Sequence, residues 1–163
     1  MKKFLLLATL SLPVLSVVAQ DYSTIKTIAT LQQFKKAKEE LDKAMSNSKY
    51  ASKAEAYILK TAVYSGLASD PATKGTPAGD QLLTEAEAAF KKYREMDPSL
   101  ALLSDPVYQN GPINLYTTLF TAGYKDYERK NWAEGAEKFK RVIEYSDLLI
   151  NRKIITIAAD TNS

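Results

Sequence analysis

The stretch TEAEAAFKKYREMDPS, Thr84 to Ser99, sets Ala86, Phe90, Tyr93 and Pro98 at successive steps of four, three and five residues. Steps of three and four follow the helical period, so the first three of these residues share one face of a helix. Lys and Glu fill the positions between them. The small residue at the start of the pattern lets a neighbouring helix approach closely, and the large residue one turn on fills the groove beside it.

The pattern recurs at a fixed interval. Ala37, Leu41 and Ala44 stand 49 residues before Ala86, Phe90 and Tyr93, and Gly135, Phe139 and Val142 stand 49 residues after them. AKEELDKA, AEAAFKKY and GAEKFKRV overlay without a gap. The remaining segments are helical in period as well: Ile25, Ile28 and Leu31; Tyr57, Ala62, Tyr64 and Leu67; Leu115, Leu119, Gly123 and Tyr127. No segment sustains period-two alternation with β-branched enrichment, so the expected class is all-α with no sheet. Two stretches interrupt the pattern. Ser69 to Asp80 holds two Pro and two Gly, and Asp97 to Asn114 holds three Pro and one Gly. Both read as connectors, with Asp80 and Asn114 the expected N-caps of the helices that follow. Helices that need partners flank both connectors, so residues 20–163 form a single expected domain.

The first 19 residues read as a secretory signal: Lys2 and Lys3, an apolar run from Phe4 to Val18, and Ala19 as the expected cleavage point. Left uncleaved, the run would be an N-terminal anchor. Without Lys2 and Lys3 the 22 basic residues fall to 20 against 19 acidic ones. No field remains to favour nucleic acid. After signal removal no integral span is expected, and the localisation that follows is periplasmic or secreted.

The sequence contains neither Cys nor His. The absence of Cys excludes a disulfide framework, and the absence of both excludes the usual zinc sets and the Ser-His and Cys-His nucleophile pairs. Glu85 and Glu87 cannot converge on one substrate, because they point about 200° apart on a helix. Ser46 to Lys49 spells Ser-x-x-Lys, but its companion motifs are missing. No catalytic constellation, metal or cofactor is expected, and the chain reads as a non-enzyme.

The repeated pattern resembles the tetratricopeptide repeat, a helix-turn-helix unit of about 34 residues. Ala86, Phe90 and Pro98 match that family's second helix, although Tyr93 stands where a small residue is usual. Tyr57 and Tyr64 match its first helix. A third unit offers Gly123 in its first helix, a turn at Lys130 and Asn131, then Trp132, Gly135, Phe139 and Val142. It departs with Asp126 in place of Tyr and Asp147 in place of Pro, so its second helix is expected to run on toward Arg152. A first unit keeps Ala37, Leu41 and Ala44. The resemblance implies a right-handed superhelix of antiparallel helix pairs, about three units over residues 22–49, 52–98 and 114–152. It also implies a concave, partner-binding face made by the first helices. Carried over, that face would hold Glu55, Ile58 and Ala62 in the second unit and Thr117, Phe120, Tyr124 and Tyr127 in the third. The implied function is a scaffold for a protein or peptide. The alternative is a small-ligand or lipid carrier, motivated by the apolar connector LALLSDPVY, Leu100 to Tyr108. At the far end, Val142, Ile143, Leu148, Leu149 and Ile150 are expected to form an apolar surface. That end would be covered by self-association or by a longer array, or else Ile154 to Ala159 would fold back over it.

Overall fold

The computed structural model describes residues 22–156. The signal reading over residues 1–19 and the tail residues 157–163 lie outside the described residues. Among the described residues there are seven α-helices and no strand: α1 Tyr22–Thr30, α2 Phe34–Met45, α3 Ser48–Ala51, α4 Ala54–Ser69, α5 Pro77–Met96, α6 Pro106–Glu128 and α7 Trp132–Asn151. A single 3-10 turn, Ala101–Ser104, separates α5 from α6.

Six of the helices form three hairpins, α1–α2, α4–α5 and α6–α7. The first and third close by the same device. Gln32 and Lys130 take left-handed backbone angles (φ 56° and 62°) two residues past the helix end. The next residue in each case, Gln33 or Asn131, donates its N–H back to Ile28 or Asp126. That is the Schellman stop, with Gln and Lys in the place glycine usually takes. Phe34 and Trp132 then open the returning helix.

The second hairpin has the longer turn. Thr76 is the N-cap of α5, its hydroxyl accepting from the Gly79 N–H at 3.1 Å, and Pro77 stands in the first turn. Proline suits that position because its missing N–H would have had no partner there. The cap therefore stands four residues before the expected one, Asp80. A Cβ at residue 79 would lie 2.2 Å from the Thr73 carbonyl oxygen, so only glycine fits where the turn crosses the helix start.

Asp97 to Asn114 is not a connector throughout. Its latter half is the start of α6, capped by Asp105, whose carboxylate accepts from Val107 N–H at 2.9 Å, with Pro106 in the first turn and Pro112 inside the helix. Pro112 removes one backbone hydrogen bond, but the helix runs on through it, with Tyr108, Pro112 and Leu115 all buried. Its neighbour Gly111 meets α4 closely: a Cβ there would sit 2.9 Å from Thr61 Cγ2 and 3.2 Å from Ala62 N.

The second and third hairpins stack in the same sense. Glu55 contacts Tyr108, Thr61 contacts Gly111 and Ser69 contacts Thr118. These pairs advance together along α4 and α6, so the two first helices run parallel. Glu87 pairs with Arg141 and the Phe90 and Tyr145 rings lie 5.7 Å apart, so α5 and α7 run parallel too. Glu85 and Glu87 thus act on opposite sides of α5, the former reaching Lys60 of α4 at 3.2 Å.

The repeated pattern makes the core. Ala37, Leu41, Ala44, Ala86, Phe90, Tyr93 and Val142 are all buried, as are Gly123 and Gly135. Tyr64 is buried, while Tyr57 and Phe139 are partly so. Pro98 follows the end of α5 and is exposed. Trp132 departs from the expected packing role: it is largely exposed and meets the Tyr127 ring edge to face, ring centroids 5.2 Å apart. The end of α7 is also more covered than expected. Leu149 is buried and Leu148 and Ile154 pack against the core. Lys153 makes a third left-handed stop (φ 55°), with the Ile154 N–H bonded to the Leu149 carbonyl. Arg152 reaches the Ser99 carbonyl at 2.5 Å. Of the apolar surface expected there, Ile143 alone is widely exposed.

Candidate functional site

The residues carried over as a binding face divide into two groups. Ile58 and Ala62 are fully buried, because α6 lies across that side of α4. This corrects the expectation that they meet a partner. Glu55 is held as well: its carboxylate accepts a hydrogen bond from the Tyr108 hydroxyl. Burial and then that carboxylate push the Tyr108 hydroxyl well above its ordinary range, so it stays a donor and ties α6 to α4. Tyr64 is held in the same way by burial and by Asp42 of α2. These tyrosine–carboxylate pairs fasten one hairpin to the next.

The α6 group is open. Phe120, Tyr124 and Tyr127 are 46%, 52% and 55% exposed, and Trp132 and Ile143 of α7 are 57% and 60% exposed. Thr117, two turns before Tyr124, is exposed and bonds its hydroxyl back to the Ile113 carbonyl at 3.0 Å. The rings touch in sequence. Tyr116 and Phe120 stack at 6.3 Å, Phe120 meets the Phe139 edge at 6.0 Å, and Tyr124 and Tyr127 stack at 6.4 Å. Such contacts hold the rings in place, which lowers the entropy lost when a second surface covers them.

A different set of residues lines a cleft of about 470 Å³ where the first helices of all three hairpins meet. Thr30 comes from α1, Ser69 from the end of α4, Asp70 from just beyond it, and Asn110 and Asn114 from α6, with Phe34 and Val107 as apolar wall. Asn110 and Asn114 are one turn apart on the same side of α6. Their amides offer both donors and acceptors, the complement of a peptide backbone in extended form. Lys26 of α1 pairs with Asp105 at the mouth of α6. Burial raises the Asp105 carboxyl, but Lys26 and the Val107 N–H outweigh it and hold the group below its ordinary value. This cleft is not legible in the sequence, where YQNGPIN, with its Gly and Pro, reads as a connector. Read as helix, its two Asn at a spacing of four are the signal.

Among the described residues no group of three or more His, Cys, Asp or Glu could hold a metal ion, and no helix is long and apolar enough to cross a membrane. Known protein families, curated proteins and solved structures offer no match to this chain.

Proposed function

We propose that this chain is a non-enzymatic, exported scaffold that binds an extended protein or peptide segment across the first helices of a tetratricopeptide-like array. Three units stack as antiparallel pairs in a right-handed superhelix, and the signal at residues 1–19 directs the chain to the periplasm or out of the cell. The parallel stacking of α4 with α6 and of α5 with α7 supports the array, as does the shared turn of the first and third hairpins. The observation that carries the binding role is the amide-lined cleft between α1, α4 and α6. The carrier reading loses its motivation here. Leu100 and Leu103 are buried in the protein's own core, so the apolar connector is accounted for without a ligand.

Selection of random twelve-residue peptides on the immobilised chain tests the proposal. Peptides should be enriched that lose at least about tenfold in affinity, roughly 1.4 kcal/mol, toward an Asn110→Ala/Asn114→Ala variant of unchanged melting temperature. No enrichment, or binders indifferent to both substitutions, would overturn it.

A further inference from the structure

The aromatic stripe lies outside the cleft, and the stacking of the hairpins says what kind of surface it is. Aligning the first helices of the second and third hairpins on Tyr57 and Leu119 sets Ile58, Ala62 and Ser65 over Phe120, Tyr124 and Tyr127. In α4 this stripe at i, i+4 and i+7 is the one that α6 covers. Ala62 N lies 3.2 Å from the Cβ position of residue 111, Ser65 Oγ lies 3.4 Å from the Gly111 carbonyl oxygen, and Ile58 has no exposed surface. In α6 the same stripe carries three large rings, each roughly half exposed. The face is thus equivalent to a packed internal interface, yet among the described residues its three rings keep about half of their surface open. Trp132, Phe139 and Ile143 extend it onto α7.

We infer that this face is where a second copy of the chain docks, stripe against stripe about a two-fold axis. Two observations favour a copy over a different partner. First, the exposed charges between Phe120 and Glu144 are Lys125, Arg129, Lys130 and Lys140 against Glu128, Glu134, Glu137 and Glu144. Exposed charges on these two helices, four of each sign, leave no field to select a strongly charged partner, and a two-fold operation can set cations of one copy on anions of the other. Second, the area suits a dimer. Large side chains present ~150–250 Å² each, so five that are half exposed offer on the order of 500 Å² per copy. That is the apolar centre of an interface needing about 800 Å² per partner, with the charged rim supplying the remainder. The rings are already ordered by their mutual contacts, and aromatic anchors of this type dominate association energies.

The inference goes beyond the peptide reading and uses different residues, so the two can fail separately. Trp132 is the sole tryptophan, and its emission reports on this face alone. Sedimentation of the full mature chain over a micromolar to millimolar series should show the mass doubling, with Trp132 emission shifting to the blue over the same range. A Tyr124→Ala/Tyr127→Ala variant should raise the dissociation constant at least about tenfold while leaving peptide affinity at the cleft unchanged, and Tyr127→Phe should still dimerise. A wild-type monomer at millimolar concentration would overturn the inference. So would a dimer whose affinity ignores the double substitution, or a species that grows past two copies. Asn110→Ala/Asn114→Ala should leave the dimer intact.

Discussion

The second and third hairpins are built on the same sequence pattern and are buried to different degrees. In α4, ten of sixteen residues are buried, which covers its whole circumference, since it has neighbours on several sides. In α7 only Gly135, Val142 and Leu149 are buried, at intervals of seven along one line. The difference does not lie in the repeated triad, because Ala86, Phe90 and Tyr93 and their counterparts Gly135, Phe139 and Val142 face inward in both hairpins. It lies in what is stacked outside. Between the equivalent second helices, α5 buries six of its twenty residues and α7 three of twenty, so what stacks outside a hairpin adds to what its own sequence makes core.

That comparison can be broken at equivalent residues. Phe90 is almost completely buried, whereas Phe139 is only partly so. Phe90→Ala should destabilise the chain by about 3–5 kcal/mol, and Phe139→Ala by less than about 2 kcal/mol, because less area leaves water in the second case. Urea unfolding of the two variants at low protein concentration measures both. Equal losses would show that the third hairpin is as enclosed as the second.

Glycines sharpen the same contrast at smaller magnitude. Gly111 meets backbone as well as side chain of α4, with Ala62 N 3.2 Å from its Cβ position. The nearest atoms to a Cβ at Gly123 are Lys138 Cβ at 3.2 Å and the Phe139 ring at 3.3 to 3.4 Å; the ring can tilt away, whereas the Lys138 Cβ gives way only with a small shift of α7. Gly111→Ala should cost about 1–3 kcal/mol. Gly123→Ala should cost less than Gly111→Ala, within about 1 kcal/mol of neutral, since alanine is the better helix former and offsets the small shift of α7. Melting temperatures of the two variants give the answer, and a reversed order would contradict the close approach of α6 to α4.

The smallest expected effects, group by group, are those of pH. Tyr64, Tyr93, Tyr108 and Tyr145 are all raised, in each case by burial first. The folded chain keeps protons that the unfolded chain surrenders above the ordinary tyrosine range, so this stability is complete below pH ~10 and is lost as pH climbs beyond it. Asp97, held low chiefly by the Ser99 hydroxyl, and Asp126, held low chiefly by Lys138, act in the opposite sense. Their stability is present above pH ~4 and lost as pH falls. The sequence has no His, so no side chain of ordinary pKa titrates between about pH 5 and 8. Melting temperature against pH should therefore show a broad plateau with falling edges, and a step near pH 6.5 would contradict it.

The all-α class was legible in the sequence, and so were the buried triads, because apolar spacing follows helical geometry directly. The extent of α7 past Asp147 was legible for the same reason. The α6 start was not, since Pro106 to Pro112 reads as a break until Asp105 is recognised as a cap and Pro106 as a first-turn proline. The stops at Gln32, Lys130 and Lys153 carry no glycine to announce them. For the site, the aromatic stripe was visible as a spacing. Its relation to the rest was hidden, because nothing local shows that α6 covers Ile58 and Ala62 while leaving Phe120 and Tyr124 bare. The amide cleft needs three hairpins to be stacked before its lining comes together, so it is a property of tertiary arrangement alone.

Backbone amide hydrogen exchange on dilute protein tests the interior-versus-end distinction most directly, because protection tracks how a segment is enclosed by its neighbours. Amides of α4 should be among the slowest in the chain, exchanging only with global unfolding, while those of α7 should exchange faster through local opening of the outer hairpin. If α7 exchanges as slowly as α4 in the monomer, the third hairpin has no open face.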